Sequence, residues 1–327
     1  MKRTTVLTSL GSISLSVILA FSAWVGLAFM RSKPVSTDRV LGASSSEVSV
    51  TPTPLPYPVR SEAKAPTIQA RRYALYNPDS GKLLEGKDAN LQVPIASTTK
   101  LMTTYVIARM GQTSDEIVVS REAAFQIGSL MNLRPGEKIT IDSLLKGALL
   151  VSGNDAAMAL AEYGGGRLLA NPSAPREERV ARFVEEMNAT ANKLGMANTK
   201  YADPAGLDDT GHSTALDLAK LAHHTTQDSV IKAIISTPSV TVTNVSGTIR
   251  HDLRNSNRLV ADYFYEGVIG GKTGFTPEAG HCLLSAAERN GMKLIAVVLS
   301  TYAETKEASA QETRKLLDWG FANWHIE

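Results

Sequence analysis

Apolar and polar residues follow different patterns along the chain, and the changes divide it into three regions. The stretch from Thr4 to Met30 contains no charged residue and is rich in Leu, Val and Ile. Residues 32–70 carry six Pro among Ser, Thr and Ala, without apolar periodicity. From Arg71 to Glu327 the periods of helices and strands return, so this region is predicted to be the folded domain.

The folded region begins and ends with strand patterns and has helical patterns between them. Tyr73–Tyr76 and Lys82–Glu85 flank the turn sequence Asn77–Gly81, which predicts a β-hairpin. Asn290-Gly291 predicts a second hairpin near the C-terminus. Strands are predicted over Val268–Thr273, His281–Glu288 and Met292–Ser300. This order predicts an α/β (α+β) fold, with an antiparallel sheet flanked by helices and a helical subdomain inserted.

Apolar residues at helical spacing predict the helices of that subdomain. Asp142 is the predicted N-cap of a helix that contains Leu144–Leu150. The next helix is expected to start after Asn154 and to end near Gly164–Gly166. Further helices are predicted over Thr99–Met110, Glu177–Leu194, Ala215–His224 (capped by Ser213 or Thr214) and Ala303–Asn323.

The N-terminal region has the pattern of a membrane-targeting segment. A basic start, Met1–Arg3, precedes the uncharged run. That run exceeds the apolar core of ~7–15 residues in a secretory signal and provides the ~20 residues of a membrane-spanning helix. Residues 1–31 are therefore predicted to be an uncleaved signal anchor, and a long cleaved signal peptide with a site at Ala20–Ser22 is the alternative. Either would carry the remaining chain out of the cytoplasm.

Residues 32–70 are predicted to be a Pro/Ser/Thr-rich linker. The alternating Thr-Pro and Pro-x-Pro pattern favours polyproline II, which gives a semi-stiff tether. Such a tether would hold the domain away from a membrane, and a disordered spacer without set length is the alternative.

Charge and cysteine content exclude several classes of protein. The chain has 34 Lys+Arg and 32 Asp+Glu, a net charge of +2, so a nucleic-acid partner is not expected. Its single Cys, Cys282, excludes an intrachain disulfide and is predicted to be buried among apolar neighbours. Without H-E-x-x-H or other paired-ligand spacing, neither a metal nor another cofactor is expected.

The first candidate catalytic motif is Ser97-Thr-Thr-Lys100. Side chains at i and i+3 share one helix face, so Lys100 Nζ is predicted to reach Ser97 Oγ. A serine hydroxyl becomes an effective nucleophile when a base removes its proton. A lysine can be that base if burial and neighbouring cations lower its pKa. The alternative makes Ser97 a helix N-cap and Lys100 a solvated residue.

The second motif is Ser152-Gly153-Asn154, between two predicted apolar helices. Ser152 could relay a proton between Lys100 and a leaving amine, and Asn154 could hydrogen-bond a substrate amide. The alternative is a helix boundary, with Gly153 in the left-handed conformation and Asn154 beginning the next helix.

The third motif is Lys272-Thr273-Gly274, at the end of a predicted strand. Because Gly274 has no side chain, a substrate could lie against this strand as an added β-strand. Lys272 would offer a positive charge, and Thr273 a hydroxyl, to a carboxylate. The backbone N–H groups of Phe275 and Ser97 could form an oxyanion hole. The alternative is a Gly-rich strand end with an exposed Lys.

The order S-x-x-K, S-x-N, K-T-G is the motif set of penicillin-recognising serine enzymes. With it, the sequence closely resembles the low-molecular-weight D-alanyl-D-alanine carboxypeptidases, a serine peptidase family, over roughly residues 71–324. The resembling segments are Pro94–Thr103, Leu149–Ala157, Asp203–Asp208, His212–Ala215, Gly267–Thr276 and Trp319–Phe321. The resemblance implies a β-lactamase/transpeptidase-like fold with a five-stranded antiparallel sheet.

The resemblance also implies an activity and roles for residues. Ser97 would be acylated, Lys100 would be the general base and Ser152 would relay protons. The implied substrate is a peptidoglycan stem peptide that ends in D-Ala-D-Ala and loses its terminal D-Ala through an acyl-enzyme, and β-lactams would acylate the same serine. The expected location is the bacterial cell membrane, with the catalytic domain on the extracytoplasmic side. The implied substrate-binding residues are Asn154, Lys272, Thr273, Gly274 and Phe275.

Two departures from the family pattern change these expectations. Many members carry a further β-rich domain and a C-terminal amphipathic anchor, whereas here the N-terminal apolar segment is expected to do the anchoring. Some members place a carboxylate-binding Arg at the start of the last helix, where this sequence has Ser309 with Lys306 nearby. Lys272 and Thr273 are therefore expected to carry more of the carboxylate binding.

Other functions on the same fold stay open from the sequence. A β-lactamase would need a deacylating Glu, and Glu185 with Asn188 has a superficially similar spacing, although Glu185 is predicted to be solvated on an amphipathic helix. A D,D-endopeptidase or transpeptidase would share all three motifs. A non-catalytic, membrane-tethered wall-binding module is the non-enzymatic alternative.

Overall fold

A computed structural model describes residues 58–60, 63–302, 305 and 307–326 of the chain. The predicted signal anchor and most of the predicted linker lie outside these residues. Among the residues that the structure describes, no helix is both long enough and apolar enough to cross a membrane.

The described residues contain eleven strands, and five of them form an antiparallel sheet at the centre of the domain. The strands are β1 (Pro58–Arg60), β2 (Arg72–Asn77), β3 (Lys82–Lys87), β4 (Glu116–Val118), β5 (Lys138–Thr140), β6 (Ser239–Thr243), β7 (Arg250–Arg254), β8 (Val268–Thr276), β9 (Gly280–Arg289), β10 (Met292–Thr301) and β11 (Trp324–Ile326). The sheet has the order β3-β2-β10-β9-β8, which leaves β8 at one edge. The predicted hairpins are confirmed as the β2–β3 and β9–β10 pairs.

The helices follow the order that the sequence predicts. They are α1 (Lys100–Arg109), α2 (Arg121–Ala124), α3 (Ile141–Leu150), α4 (Asn154–Leu168), α5 (Arg176–Lys193), α6 (Ala215–Gln227), α7 (Ser229–Ile235), α8 (Arg258–Ala261) and α9 (Ala308–Asn323). A 3-10 turn, Ala96–Thr99, leads directly into α1. Helices α1 to α7 lie between the first hairpin and β8 in the chain, which confirms the inserted helical subdomain.

Strand β10 shows how the sheet separates two apolar layers. Its residues alternate between two buried clusters, as side chains on a strand must. Leu294, Ala296 and Val298 belong to the cluster that includes Leu316 of α9. The intervening residues join the larger cluster, which contains the helical subdomain. Both faces are covered, and this explains why the strand has a continuous apolar run.

Several predicted boundaries are wrong for identifiable reasons. The N-cap of α3 is Thr140, whose Oγ1 accepts a hydrogen bond from Ser143 N, whereas Asp142 lies in the first turn. Helix α4 continues through its three glycines because they form a packing surface. A Cβ at Gly165 would lie 1.8 Å from the carbonyl oxygen of Arg179 on α5.

The end of the predicted linker is part of the folded domain. Pro58–Arg60 pairs antiparallel with β11. Ile68 and Ala70 are buried, and Trp319 Nε1 donates a hydrogen bond to Lys64 O at 3.0 Å. Ordered structure therefore begins before the expected boundary at Arg71.

Candidate active site

The Ser97–Lys100 pair lies where the 3-10 turn meets helix α1. Lys100 is completely buried, and its Nζ lies 2.8 Å from Ser97 Oγ. Ser97 is half-buried and does not cap the helix, since the cap position of the 3-10 turn is Ile95. The contact predicted from the i, i+3 spacing is therefore present, and the N-cap alternative is excluded.

Burial lowers the pKa of Lys100 to about 7, and the charges of Asp203 and Asp155 act in the opposite direction. Burial disfavours the ammonium because a low-dielectric environment solvates charge poorly. Near neutral pH the side chain is therefore divided between its two protonation states. The neutral amine that a general base requires is available without an extreme pH.

A loop far away in the sequence holds the lysine in place. Lys100 Nζ donates a second hydrogen bond, of 2.7 Å, to Ala205 O. The carboxylate of Asp203 braces this loop, accepting hydrogen bonds from Ala205 N at 2.5 Å and Gly206 N at 2.7 Å. Gly206 has φ +73°, and a Cβ there would lie 2.0 Å from Ala96 O. The three motifs do not indicate that this loop supports the lysine.

Ser152 occupies a strained turn between α3 and α4. Its φ is 60°, whereas Gly153, the residue expected to be left-handed, has φ −60°. A non-glycine residue in this region is uncommon. The turn directs Ser152 Oγ towards Lys272, whose Nζ lies 2.9 Å away. The hydroxyl thus accepts a hydrogen bond from the third motif, and among the described residues no hydrogen bond joins it to Lys100; the relay with Lys100 stays a prediction.

Asn154 begins α4, and its side chain is buried. Its Nδ2 donates to Ile127 O at 2.5 Å, and its backbone N–H donates to Ser129 O at 2.8 Å. Its Oδ1 is buried and has no hydrogen-bond partner among the described residues. Of the two amide atoms, the acceptor is therefore the one left to bind a ligand N–H.

The next residue, Asp155, holds the loop that contains Met131 and Leu133. Its two carboxylate oxygens accept hydrogen bonds from Met131 N at 2.9 Å and Leu133 N at 3.0 Å. The loop is held on its other side by His251, whose Nδ1 lies 3.0 Å from Met131 O and whose Nε2 lies 2.7 Å from Glu137 Oε1. Neither Asp155 nor His251 was singled out from the motifs.

Lys272 is buried on the edge strand β8. Besides Ser152, its Nζ contacts Thr273 O at 2.8 Å. Burial, together with the positive charge of Lys100, holds its pKa well below the ordinary lysine value. The alternative of an exposed Lys is therefore excluded, whereas the lowered pKa argues against a positive charge that is fixed at every pH.

Gly274 has a structural role that the sequence did not indicate. A Cβ at this position would lie 3.0 Å from Ile95 O and 3.1 Å from Ser97 N. The missing side chain therefore allows β8 to approach the turn that carries the nucleophile. The sequence could not distinguish this contact from an approach to substrate, since both require a residue without Cβ.

The residues on either side of Gly274 differ in exposure. Thr273 Oγ1 is half-exposed and lies 2.7 Å from Ser256 Oγ. The Phe275 side chain is 56% exposed and stacks on the His281 ring at 4.4 Å. Ser309, at the start of α9, is buried, and Lys306 lies outside the described residues.

Glu185, the candidate for a deacylating residue, is exposed to solvent. Its side chain is 71% exposed on α5 and pairs with Arg182 at 3.8 Å. This confirms the prediction that it is solvated.

The sheet, the helical subdomain and the contact of Ser97 with the buried Lys100 together define an active-site serine enzyme of the β-lactamase/transpeptidase-like fold. A family model described as D-alanyl-D-alanine carboxypeptidase matches residues 59–303. The chain belongs to this family, as the sequence resemblance indicates.

Curated relatives and solved structures agree with this assignment. D-alanyl-D-alanine carboxypeptidase DacF of Bacillus subtilis is 36% identical over 272 residues, covering 78% of this chain and 63% of the relative. DacC of Escherichia coli is 33% identical, covering 82% of this chain and 65% of the relative. The chain thus spans just under two thirds of these relatives. A crystal structure of a Streptomyces DD-transpeptidase superimposes with a TM-score of 0.73 at 31% identity, covering 80% of this chain and all of that one.

Proposed function

We propose that this protein is a serine-type D-Ala-D-Ala carboxypeptidase that removes the terminal D-Ala from peptidoglycan stem peptides. The observation that carries the proposal is the 2.8 Å contact between Ser97 Oγ and a buried Lys100 amine whose pKa is lowered to about 7. A neutral amine at hydrogen-bond distance from a hydroxyl is what a general base requires.

In the acylation step, Lys100 Nζ takes the proton of Ser97 Oγ as that oxygen attacks the carbonyl carbon of the penultimate D-Ala. The oxyanion is stabilised by the backbone N–H groups of Ser97 and Phe275. Strand β8, which carries Phe275, lies beside the turn that carries Ser97: a Cβ at Gly274 would lie 3.1 Å from Ser97 N. This supports the assignment of both N–H groups to one oxyanion hole. Loss of one oxyanion donor typically costs ~10²–10³ in rate.

The C–N bond then breaks, and the leaving amine of D-Ala takes a proton. Ser152 is placed to deliver it, since its hydroxyl can donate to the amine while accepting from Lys272 Nζ at 2.9 Å. Lys272 replaces the proton that Ser152 gives up, and exchange with solvent returns a proton to Lys272 while Lys100 loses the one it took from Ser97. Water then hydrolyses the acyl-enzyme: the neutral Lys100 accepts a proton from the water and returns it to Ser97 Oγ as the ester bond breaks. A β-lactam would form the same ester on Ser97, and its release would be slow.

The edge strand β8 supports the binding mode of the peptide stem. Because β8 has a sheet neighbour on one side only, its outward backbone groups can pair with an extended peptide. Asn154 Oδ1 would accept a hydrogen bond from an N–H of that peptide, and the Thr273 hydroxyl would donate a hydrogen bond to the terminal carboxylate.

Mass spectrometry with benzylpenicillin tests this function. The domain should gain one penicillin mass on the peptide that contains Ser97, and the untreated domain should release D-Ala from an acyl-D-Ala-D-Ala tripeptide. The Ser97→Ala variant should do neither, and retention of either reaction by that variant would refute the assignment. Rapid loss of the adduct would favour a β-lactamase, and transfer of the acyl group to an added amine would favour a transpeptidase.

We further propose that the N-terminal apolar segment, residues 1–31, attaches the enzyme to the bacterial membrane with the catalytic domain outside the cytoplasm. The absence of charge from Thr4 to Met30 supports this. Membrane fractionation and N-terminal sequencing of the full chain test it. Recovery in the membrane with an intact N-terminus is expected, whereas a soluble protein that begins after residue 22 would mean a cleaved signal.

A further inference from the structure

Ser256 lies against the Lys-Thr-Gly strand although it belongs to none of the motifs. Its Oγ is exposed and lies 2.7 Å from Thr273 Oγ1, where either oxygen can be the donor. On the basis of the proposed function, we infer that Ser256 and Thr273 together form a two-hydroxyl site for the terminal carboxylate of the substrate. Ser256 is thereby a specificity-determining residue for peptides with a free C-terminus.

The backbone around Ser256 is held by bonds that do not involve its side chain. Ser256 N donates to Leu150 O at 2.8 Å, just ahead of the Ser152 turn. The preceding residue, Asn255, donates its Nδ2 to Ile235 O and Thr237 O, both at 3.0 Å. The hydroxyl is thus presented on a fixed loop, and its removal leaves these contacts unchanged.

The pair of hydroxyls matches a carboxylate in its donor and acceptor count. Two hydroxyls contain two protons, and one of them is used in the bond between Ser256 and Thr273. A carboxylate accepts hydrogen bonds only, through two oxygens, so each hydroxyl can turn to donate to it. One neutral hydrogen bond is then replaced by two charge-assisted bonds, which are shorter and stronger.

Nearby cations in the described residues are engaged with other groups. Lys272 Nζ contacts Ser152 Oγ at 2.9 Å and Thr273 O at 2.8 Å. Arg254 pairs with Asp262, and Arg258 pairs with Glu307 at 2.8 Å. Because these basic side chains already have partners, the hydroxyl pair supplies a large share of the contacts that recognise the carboxylate.

The test compares a peptide that ends in D-Ala-D-Ala with the same peptide ending in D-Ala-D-alaninamide. For the Ser256→Ala variant we expect KM for the free acid to rise about tenfold, equivalent to about 1.4 kcal/mol, with kcat changed less than threefold. KM for the amide should stay constant, so the preference for acid over amide falls about tenfold. Ser256→Thr, which keeps the hydroxyl, should retain that preference.

Ser236→Ala is the matched control, since the hydroxyl of this exposed serine donates to Ala233 O in its own helical turn, at 3.1 Å. Equal loss on acid and amide in Ser256→Ala, or an unchanged preference, would overturn the inference while leaving the proposed function intact. Rates of acylation by benzylpenicillin and its methyl ester provide the same comparison without turnover. If the wild-type protein reacts with none of these compounds, the proposed function fails, and the inference fails with it.

Discussion

Replacing Asp203 by Asn tests whether the Ser97–Lys100 contact works through a neutral amine. The negative charge of Asp203 raises the pKa of Lys100 against the larger effect of burial, which leaves it at about 7. Asn keeps the Oδ1 acceptor for Ala205 N and Gly206 N, whereas the charge and the bond that Oδ2 accepts from Asp208 N at 2.7 Å are lost. The pKa of Lys100 should therefore fall further.

The magnitude follows from the shift already present. Lowering the pKa from 10.5 to about 7 corresponds to about 5 kcal/mol between the two protonation states of a fully buried group. At pH 7 about half of the lysine is then neutral, compared with about one molecule in 3,000 for an ordinary lysine. The lowered pKa thus raises the neutral fraction of Lys100 at pH 7 about 1,500-fold.

The assay is the second-order rate constant for acylation by benzylpenicillin between pH 5 and 9. In the wild-type protein this rate should rise with pH and reach half its maximum near pH 7, because only unprotonated Lys100 accepts the serine proton. In Asp203→Asn the half-point should move to lower pH. A rate that is independent of pH across this range, or a half-point that moves to higher pH in the variant, would refute the reasoning.

Three further changes test the packing around the site. Gly274→Ala should reduce acylation of Ser97 by at least about tenfold without unfolding the domain, since its Cβ would lie 3.0 Å from Ile95 O; a wild-type rate would contradict the role given to this glycine. Thr140→Ala should lower the free energy of unfolding by about 1 kcal/mol in urea titrations, and equal stability of this variant and the wild type would argue against the observed cap. His251→Ala should cost about 1–3 kcal/mol because it leaves the buried Glu137 Oε1 without its contact to the imidazole, and a loss below about 0.5 kcal/mol would contradict that pairing.

Contacts that are local in the sequence were predictable, and contacts between distant segments were not. Ser97 and Lys100 are three residues apart, so helical geometry alone brings them together. Ala205, which accepts the second hydrogen bond of Lys100, lies 105 residues further on. No periodicity or spacing rule relates these two positions, and only the fold reveals that the Asp203 loop supports the general base.

Glycines show a related limit of sequence reasoning. Gly164–Gly166 predicts a helix end, because glycine is a poor helix former. In the structure, tight packing of α5 requires Gly164 and Gly165 to lack a Cβ, and the helix continues to Leu168. For Gly274 the sequence indicated a close approach, and the structure shows one to the backbone of residues 95–98, while the predicted approach of a substrate stays a prediction.

The central claim is that Lys100 activates Ser97 as its base. Peptide mapping by mass spectrometry after exposure of wild-type and Lys100→Met domains to benzylpenicillin tests this claim most directly. Met keeps the size and the apolar packing of the buried side chain but cannot accept a proton. The account predicts an adduct on Ser97 in the wild type and a rate at least about 100-fold lower in the variant. Acylation of Lys100→Met at the wild-type rate, with its fold intact by circular dichroism, would contradict it.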